Sequence, residues 1–176
     1  PFGADALTVN GYLGTDGIKP LLGICNAKDK GIFALVKTSN PSSGEFQDRE
    51  IDGEAVYSIM AGMCEAWGAE SMGQYGYSAV GAVVGATYPA QLAELRKKAP
   101  HTFFLVTGYG AQGGTAADVA GAFDEKGLGA IVNSSRAILT AWKKQNAPGE
   151  EYAAAARNEA IRMRDDITQY IPKITL

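Results

Sequence analysis

Five apolar runs of strand length recur along this chain, and each is followed by a segment with helical patterning. The runs cover residues 6–10, 31–40, 79–87, 102–106 and 129–133. The third run is apolar until its final threonine, which is typical of a strand covered on both faces. Buried strands that alternate with helices form right-handed βαβ units. The sequence therefore predicts an α/β fold built on a parallel sheet.

Polar residues stand where these runs end. They are Asn10, Ser39, Thr87, Thr107 and Asn133. Ligands bind beyond the carboxyl ends of the strands both in α/β barrels and in open α/β sheets. We therefore expect a binding site at that edge of the sheet.

Composition and charge exclude several classes of function. The chain has 176 residues, of which 46% are hydrophobic, and a net charge of −3. This is one globular domain or a large part of one, and the negative balance argues against a general nucleic-acid surface. Its single histidine and two cysteines form neither a metal-binding spacing nor a disulfide framework. With no long apolar run and no signal-peptide pattern, we expect a cytoplasmic protein that does not engage membranes.

A glycine-rich loop follows the fourth apolar run. It extends from Thr107 to Thr115 and is followed by helical patterning over 116–123. Glycines let backbone amides approach an anion closely, and the start of a helix adds a positive dipole and unpaired donors. A flexible turn is the alternative interpretation.

The next strand and loop add a second element of the same kind. Gln112 lies in the glycine-rich loop, and Arg136 lies at the helix start one unit later. Phosphate sites of (β/α)8 barrels are commonly built by the loops after strands seven and eight. If the last two apolar runs are barrel strands seven and eight, Arg136 and the amides of Ser135 and Arg136 bind an anion. Gln112 then adds a neutral donor from a loop that can close. The alternative for Arg136 is a surface ion pair.

These segments resemble the orotidine 5′-phosphate decarboxylase family, in its longer bacterial branch. The resemblance lies in residues 108–114 and 132–138, supported by residues 4–10, 37–41 and 83–87 in family order. It implies a (β/α)8 TIM barrel that works as a homodimer without cofactor or metal. The implied reaction converts orotidine 5′-phosphate to UMP in de novo pyrimidine synthesis.

The resemblance also assigns roles to residues. Gln112 and Arg136 would hold the 5′-phosphate, with help from the Ser135 backbone. Ser39 would hydrogen-bond the pyrimidine ring and touch Gln112 when the lid shuts. Residues expected near the site are Asn10, Thr107, Gly108 and Gly110. Thr107 and Gly11 stand where this branch usually has proline, and we expect both to loosen their loops.

The family's catalytic Asp-x-Lys-x-x-Asp motif is missing from the sequence. Residues 124–129 begin correctly but end in glycine and precede a strand instead of ending one. We therefore expect residues 1–146 to form barrel strands 4 to 8, with residues 147–176 as a helical extension packed on the barrel. The Lys/Asp array would lie shortly upstream of Pro1, and barrel strands one to three, roughly a hundred residues judged from barrel size, would be absent from this sequence. Five units alone leave an open edge and an unfilled interior, so this segment should be inactive and should not fold alone.

Two other functions remain open at this point. One is a different phosphate-binding barrel, of the sugar-phosphate lyase or synthase kind. The other is a non-catalytic domain that only binds a nucleotide.

Overall fold

The computed structural model describes residues 3–110, 112–146 and 148–175. The strands are β1 (Ala6–Val9), β2 (Gly31–Lys37), β3 (Glu50–Ile51), β4 (Glu54–Ala55), β5 (Val80–Gly85), β6 (Phe104–Thr107) and β7 (Ala130–Val132). The α-helices are α1 (Thr15–Lys28), α2 (Val56–Gly68), α3 (Pro89–Lys98), α4 (Ala116–Val119), α5 (Ser135–Leu139), α6 (Ala141–Lys144) and α7 (Tyr152–Ile167).

The main sheet contains five strands in the order β1-β2-β5-β6-β7. Every neighbouring pair in it is parallel. The prediction of an α/β fold with a parallel sheet is confirmed. Strand neighbours follow chain order without reversal, which is the progression of a (β/α)8 barrel and not of a doubly wound sheet.

The two faces of the sheet differ in burial. Ile32, Ala34 and Val36 of β2 alternate along the strand and are all buried against the helices. The opposite face is partly open, and Ile131 of β7 is 54% exposed there. In a closed barrel, that second face is filled by layers of side chains.

An apolar stripe at helical spacing, from Val56 to Trp67, predicts one helix over residues 51–67, but the observed α2 starts later. Residues 50–55 instead form an antiparallel hairpin of β3 and β4. Asp52 and Gly53 have positive φ angles of 53° and 83°. An Asp-Gly pair in this conformation is the usual two-residue hairpin turn. The helix therefore begins only at Val56.

The basic end of α3 also differs from expectation. The basic run at residues 96–98 predicts the solvated end of a helix, but Arg96 is buried at 8% exposure. Its guanidinium donates to the carbonyls of Ala99, Thr102 and Gly129. It also lies 3.8 Å from the centroid of the Phe104 ring. Arg96 therefore ties α3 to the amino ends of β6 and β7.

Both cysteines are free, and both are buried. Burial raises the pKa of the Cys64 thiol to about 12, and burial also raises the pKa of Cys25. The thiols stay protonated at neutral pH, so they are poor nucleophiles. In the described part of the chain, no helix combines the length and apolarity that crossing a bilayer requires.

Candidate functional site

The loops that follow β6 and β7 enclose one cavity of about 190 Å³. Because parallel strands place their carboxyl ends at one edge, this cavity lies at the edge predicted for ligand binding. The structure brings Gln112 and Arg136 together there. The lining residues are Thr107, Gly108, Tyr109 and Gln112 from the first loop, and Asn133, Ser134, Ser135 and Arg136 from the second.

Arg136 is the second residue of α5, and its side chain is exposed beside the cavity. Among the described residues, its guanidinium forms no ion pair and no hydrogen bond. Its contacts run through its backbone carbonyl, which accepts from the amide and the hydroxyl of Thr140. The alternative of a surface ion pair is therefore not found in the described ranges, and the charge of Arg136 lies beside the cavity, where it can meet an anion.

Ser39 reaches the glycine-rich loop from the end of β2. Its hydroxyl donates to Oε1 of Gln112 at 2.9 Å. The carbonyl side of the Gln112 amide is therefore occupied, which leaves Nε2 as a donor at the cavity wall. The hydroxyl of Thr107 lies 3.4 Å from that of Ser39. A Cβ at Gly85 would come within 3.0 Å of the Ser39 backbone, so glycine there permits this approach.

The glycines of the loop have a different role from the expected one. Gly108, Gly110 and Gly113 have φ angles of 89°, 74° and 96°, which other residues rarely adopt. The amides of Gly110, Gly113 and Gly114 donate to the carbonyls of Gly114, Gly110 and Gly108. These three amides are used within the loop, so the expectation that they cradle an anion is wrong. The glycines let the loop close on itself and present the Gln112 side chain.

The second loop is fixed by its hydroxyl groups. Ser134 precedes α5 but does not cap it, because its hydroxyl donates to the Tyr109 carbonyl at 3.2 Å. The Ser135 hydroxyl donates to Oδ1 of Asn133 at 2.9 Å. Ser135 can therefore contribute to the cavity through its backbone amide, which has no acceptor inside the helix.

Two residue pairs that the sequence did not single out, Lys37–Asp48 and Thr38–Gln47, hold the segment carrying Ser39. Lys37 is fully buried, and its Nζ lies 2.7 Å from Oδ1 of Asp48. The next residue, Thr38, is held by Gln47. The Gln47 side chain accepts from the Thr38 amide at 2.9 Å and donates to the Thr38 hydroxyl at 2.8 Å. Both pairs fold the loop after β2 back on the strand end. The only sequence signal was a lysine ending an apolar strand.

Asn10 lies apart from this group. Its Oδ1 accepts from the amide of Tyr12 at 3.0 Å, and it lines a separate cavity of about 450 Å³ with Leu35 and Met60. Gly11 is buried, and a Cβ there would lie 2.7 Å from the Met60 sulfur. The glycine at this position is thus closely packed. Whether Gly11 and Thr107 loosen their loops stays a prediction.

Within the described ranges, no three His, Cys, Asp or Glu side chains are grouped closely enough to hold a metal ion. The polar groups of the cavity are amides, hydroxyls and one guanidinium. This set donates hydrogen bonds and carries one positive charge, so it suits an oxygen-rich anion.

Sequence comparison relates the chain to known proteins. Residues 1–151 match the Orotidine 5′-phosphate decarboxylase / HUMPS family. The chain is 46% identical over 171 residues to an orotidine 5′-phosphate decarboxylase of Rhodopirellula baltica, covering 95% of this chain and 57% of that protein. It is 45% identical over 171 residues to one of Clostridium tetani, covering 97% of this chain and 59% of that protein.

Solved structures agree with the sequence matches. The OMP decarboxylase of Leishmania donovani superposes with a TM-score of 0.72 at 29% identity, covering 94% of this chain and 58% of that one. The UMP synthase of the same organism gives a TM-score of 0.72 at 32% identity, covering 93% of this chain and 33% of that one. The chain thus spans less than two thirds of each of these relatives.

Proposed function

The chain belongs to the orotidine 5′-phosphate decarboxylase / HUMPS family, and on that premise we propose that the complete protein decarboxylates orotidine 5′-phosphate to UMP. In this proposal the chain supplies the grip on the 5′-phosphate and part of the lid. The reaction belongs to de novo pyrimidine synthesis, and the protein is a carbon–carbon lyase.

The observation that carries the proposal is the cavity between the loops after β6 and β7. Its lining includes Gln112 and also Arg136, whose guanidinium has no ion-pair partner in the described ranges. A phosphate dianion is an anion of the size and charge that such a donor set binds. The position matches the phosphate site of (β/α)8 barrels, where the last two strand–helix units form it.

Each binding residue has one role in the proposal. Arg136 forms a charge-assisted contact with two phosphate oxygens, and the Ser135 amide donates beside it. Gln112 donates from the other side through Nε2. Ser39 contacts the pyrimidine ring, and its hydrogen bond to Gln112 links the ring subsite to the phosphate subsite. Thr107, Gly108 and Gly110 shape the loop, whereas Asn10 faces the neighbouring cavity.

Binding energy from the phosphate serves the reaction at a distance. A phosphate held away from the reacting carbon stabilises the closed loop, which excludes water from the site. We propose that the Lys/Asp array which protonates the carbanion lies in a barrel segment outside this chain, and that this chain alone is inactive. Residues 1–146 would be the last five units of that barrel, residues 147–176 a helical extension, and the whole protein a cytoplasmic homodimer.

The test compares two ligands on the full-length protein. UMP and uridine differ only in the phosphate, so calorimetry of both isolates that contact. We expect UMP to bind at least about thirtyfold more tightly, which corresponds to about 2 kcal/mol. Release of CO2 from orotidine 5′-phosphate then tests the reaction itself. Equal affinity for the two ligands would contradict the phosphate site.

One alternative keeps the phosphate site and changes the chemistry. A sugar-phosphate lyase or synthase would use the same phosphate cavity with a pentulose phosphate. Tight binding of pentulose phosphates without affinity for UMP would favour it. Tight UMP binding without turnover of orotidine 5′-phosphate would favour a non-catalytic nucleotide-binding domain.

A further inference from the structure

Tyr109 connects the glycine-rich loop to two other parts of the molecule. It stands between Gly108 and Gly110, and it is buried at 4% exposure. Its hydroxyl donates to Oδ2 of Asp166 in the last turn of α7 at 2.8 Å. The loop that carries Gln112 is therefore anchored at its base to the C-terminal helix.

The backbone of Tyr109 makes the second connection. Its carbonyl accepts the Ser134 hydroxyl at 3.2 Å, directly before the helix that carries Arg136. The same helix, α5, packs against α7. Tyr109 therefore contacts both α7 and the residue before α5, and α5 in turn packs on α7, so the two loops that line the cavity are joined through these contacts.

The hydrogen bond is chemically suited to a fixed anchor. Burial raises the pKa of Tyr109, and the hydrogen bond to Asp166 raises it further, so the hydroxyl remains a donor at neutral pH. Arg162 of the same helix lies 3.8 Å from Asp166 and balances the charge of that carboxylate. A partly buried bond to a charged acceptor is stronger than one between neutral groups.

We propose that Tyr109 and Asp166 are positioning residues, which set the spacing between Gln112 and Arg136 and thereby the affinity of the site for a phosphate group. Neither side chain touches the phosphate. The inference rests on the proposed function, since it assumes that the cavity holds the phosphate of a nucleotide. It assigns a role in ligand binding to the C-terminal helix, all of which lies beyond the residues that match the family model.

The experiment uses Tyr109→Phe and Asp166→Leu in the full-length protein, singly and together. Each removes one partner of the hydrogen bond and keeps a side chain of similar size. The matched control is Tyr77→Phe, because the Tyr77 hydroxyl donates to Oδ2 of Asp124 at 2.6 Å. That bond has the same chemistry, but it lies at the amino ends of the strands. Calorimetry gives the ratio of the affinities for UMP and uridine, and thermal unfolding gives Tm.

We expect Tyr109→Phe and Asp166→Leu each to lower the UMP-to-uridine affinity ratio about three- to tenfold, the range for losing one such hydrogen bond. The double variant should lose less than the product of the single losses, because both variants break the same bond. Tyr77→Phe should lower Tm and leave the ratio within about twofold of the wild type.

An unchanged ratio in both site variants, with a lowered Tm, would overturn the inference and leave the proposed function standing. If Tyr109→Phe fails to fold, Asp166→Leu decides by itself, since Asp166 is partly exposed on the helix surface. A wild-type protein that binds UMP and uridine equally would refute the proposed function and this inference together.

Discussion

Two arginines mark the difference between the two ends of the sheet. Arg96, at the amino ends of the strands, is buried and donates to several backbone carbonyls. Arg136, at the carboxyl ends, is exposed, and its guanidinium has no partner among the described residues. A buried cation that donates to backbone carbonyls stabilises the fold, whereas an exposed one beside a cavity keeps its charge for a ligand.

The two tyrosine–aspartate bonds follow the same division. Tyr77 and Asp124 join segments beside Arg96, and the Tyr77 ring lies 6.0 Å from the Arg96 guanidinium. Tyr109 and Asp166 join α7 to the wall of the cavity. Identical chemistry thus serves stability at one end and ligand geometry at the other, as the division of labour in (β/α)8 barrels leads us to expect.

The largest effect should come from Arg96→Met in the full-length protein. This change leaves buried carbonyls without donors, so we expect the free energy of unfolding to fall by about 3–5 kcal/mol. Denaturant unfolding measures it. Arg96→Lys is the control, and it should recover only part of the loss because an ammonium cannot span the same carbonyls. A loss below about 1 kcal/mol would mean that the carbonyls find water instead.

Arg136→Ala should show the opposite pattern. We expect kcat/KM for orotidine 5′-phosphate to fall by the equivalent of about 2–5 kcal/mol, because a charge-assisted contact is lost. Stability should change by less than about 0.5 kcal/mol, since the side chain is exposed. The control is orotidine, which lacks the phosphate and should lose almost nothing. Equal losses on both substrates would place Arg136 in the fold or the chemistry.

Gln112→Ala should weaken the same site to a smaller degree. Its contact is neutral on the protein side, so we expect a loss of about 1–3 kcal/mol in kcat/KM for orotidine 5′-phosphate. As with Arg136→Ala, the loss should nearly vanish for orotidine. A greater loss than that of Arg136→Ala would reverse the assignment of the main phosphate ligand.

The smallest effect concerns pH at the amino ends of the strands. Burial pushes the pKa of Asp124 up, but hydrogen bonds from Tyr77 and backbone amides outweigh it and hold the pKa below the ordinary 3.8. The ionised carboxylate therefore contributes stability above pH 3.8, which is lost as pH falls through the depressed pKa. The Tm difference between wild type and Asp124→Asn should shrink as pH is lowered below 3.8. A constant difference would show that Asp124 does not titrate in this way.

Local patterns predicted the elements that carry the site. The apolar runs marked all five strands of the main sheet, and the spacing of the last two units indicated that Gln112 and Arg136 share one cavity. These predictions depend on periodicity and on the rule that parallel strands end at one edge. Both are properties of neighbouring residues along the chain.

Errors arose where a local signal had two interpretations. The apolar stripe of α2 led to a predicted helix across residues 51–55, where the structure has a hairpin that turns at Asp52 and Gly53. An Asp-Gly pair is a strong turn signal. The glycines after β6 suggested amides open to an anion, but the loop uses several of them internally. In both cases the pattern identified the residues, and the backbone hydrogen bonds decided what they do.

The sequence by itself determined the parallel α/β architecture and the edge at which the site lies, because strand and helix periodicity are written in consecutive residues. Only the tertiary structure decided which polar side chains are buried and which partners they bind. Arg96 and Arg136 both lie in helices, yet Arg96 is buried and donates to several backbone carbonyls, whereas Arg136 is exposed. The bond from Tyr109 to Asp166 spans 57 positions of sequence. Such partners come together only through packing, since burial and hydrogen bonding depend on the distance in space between groups and not on their separation along the chain.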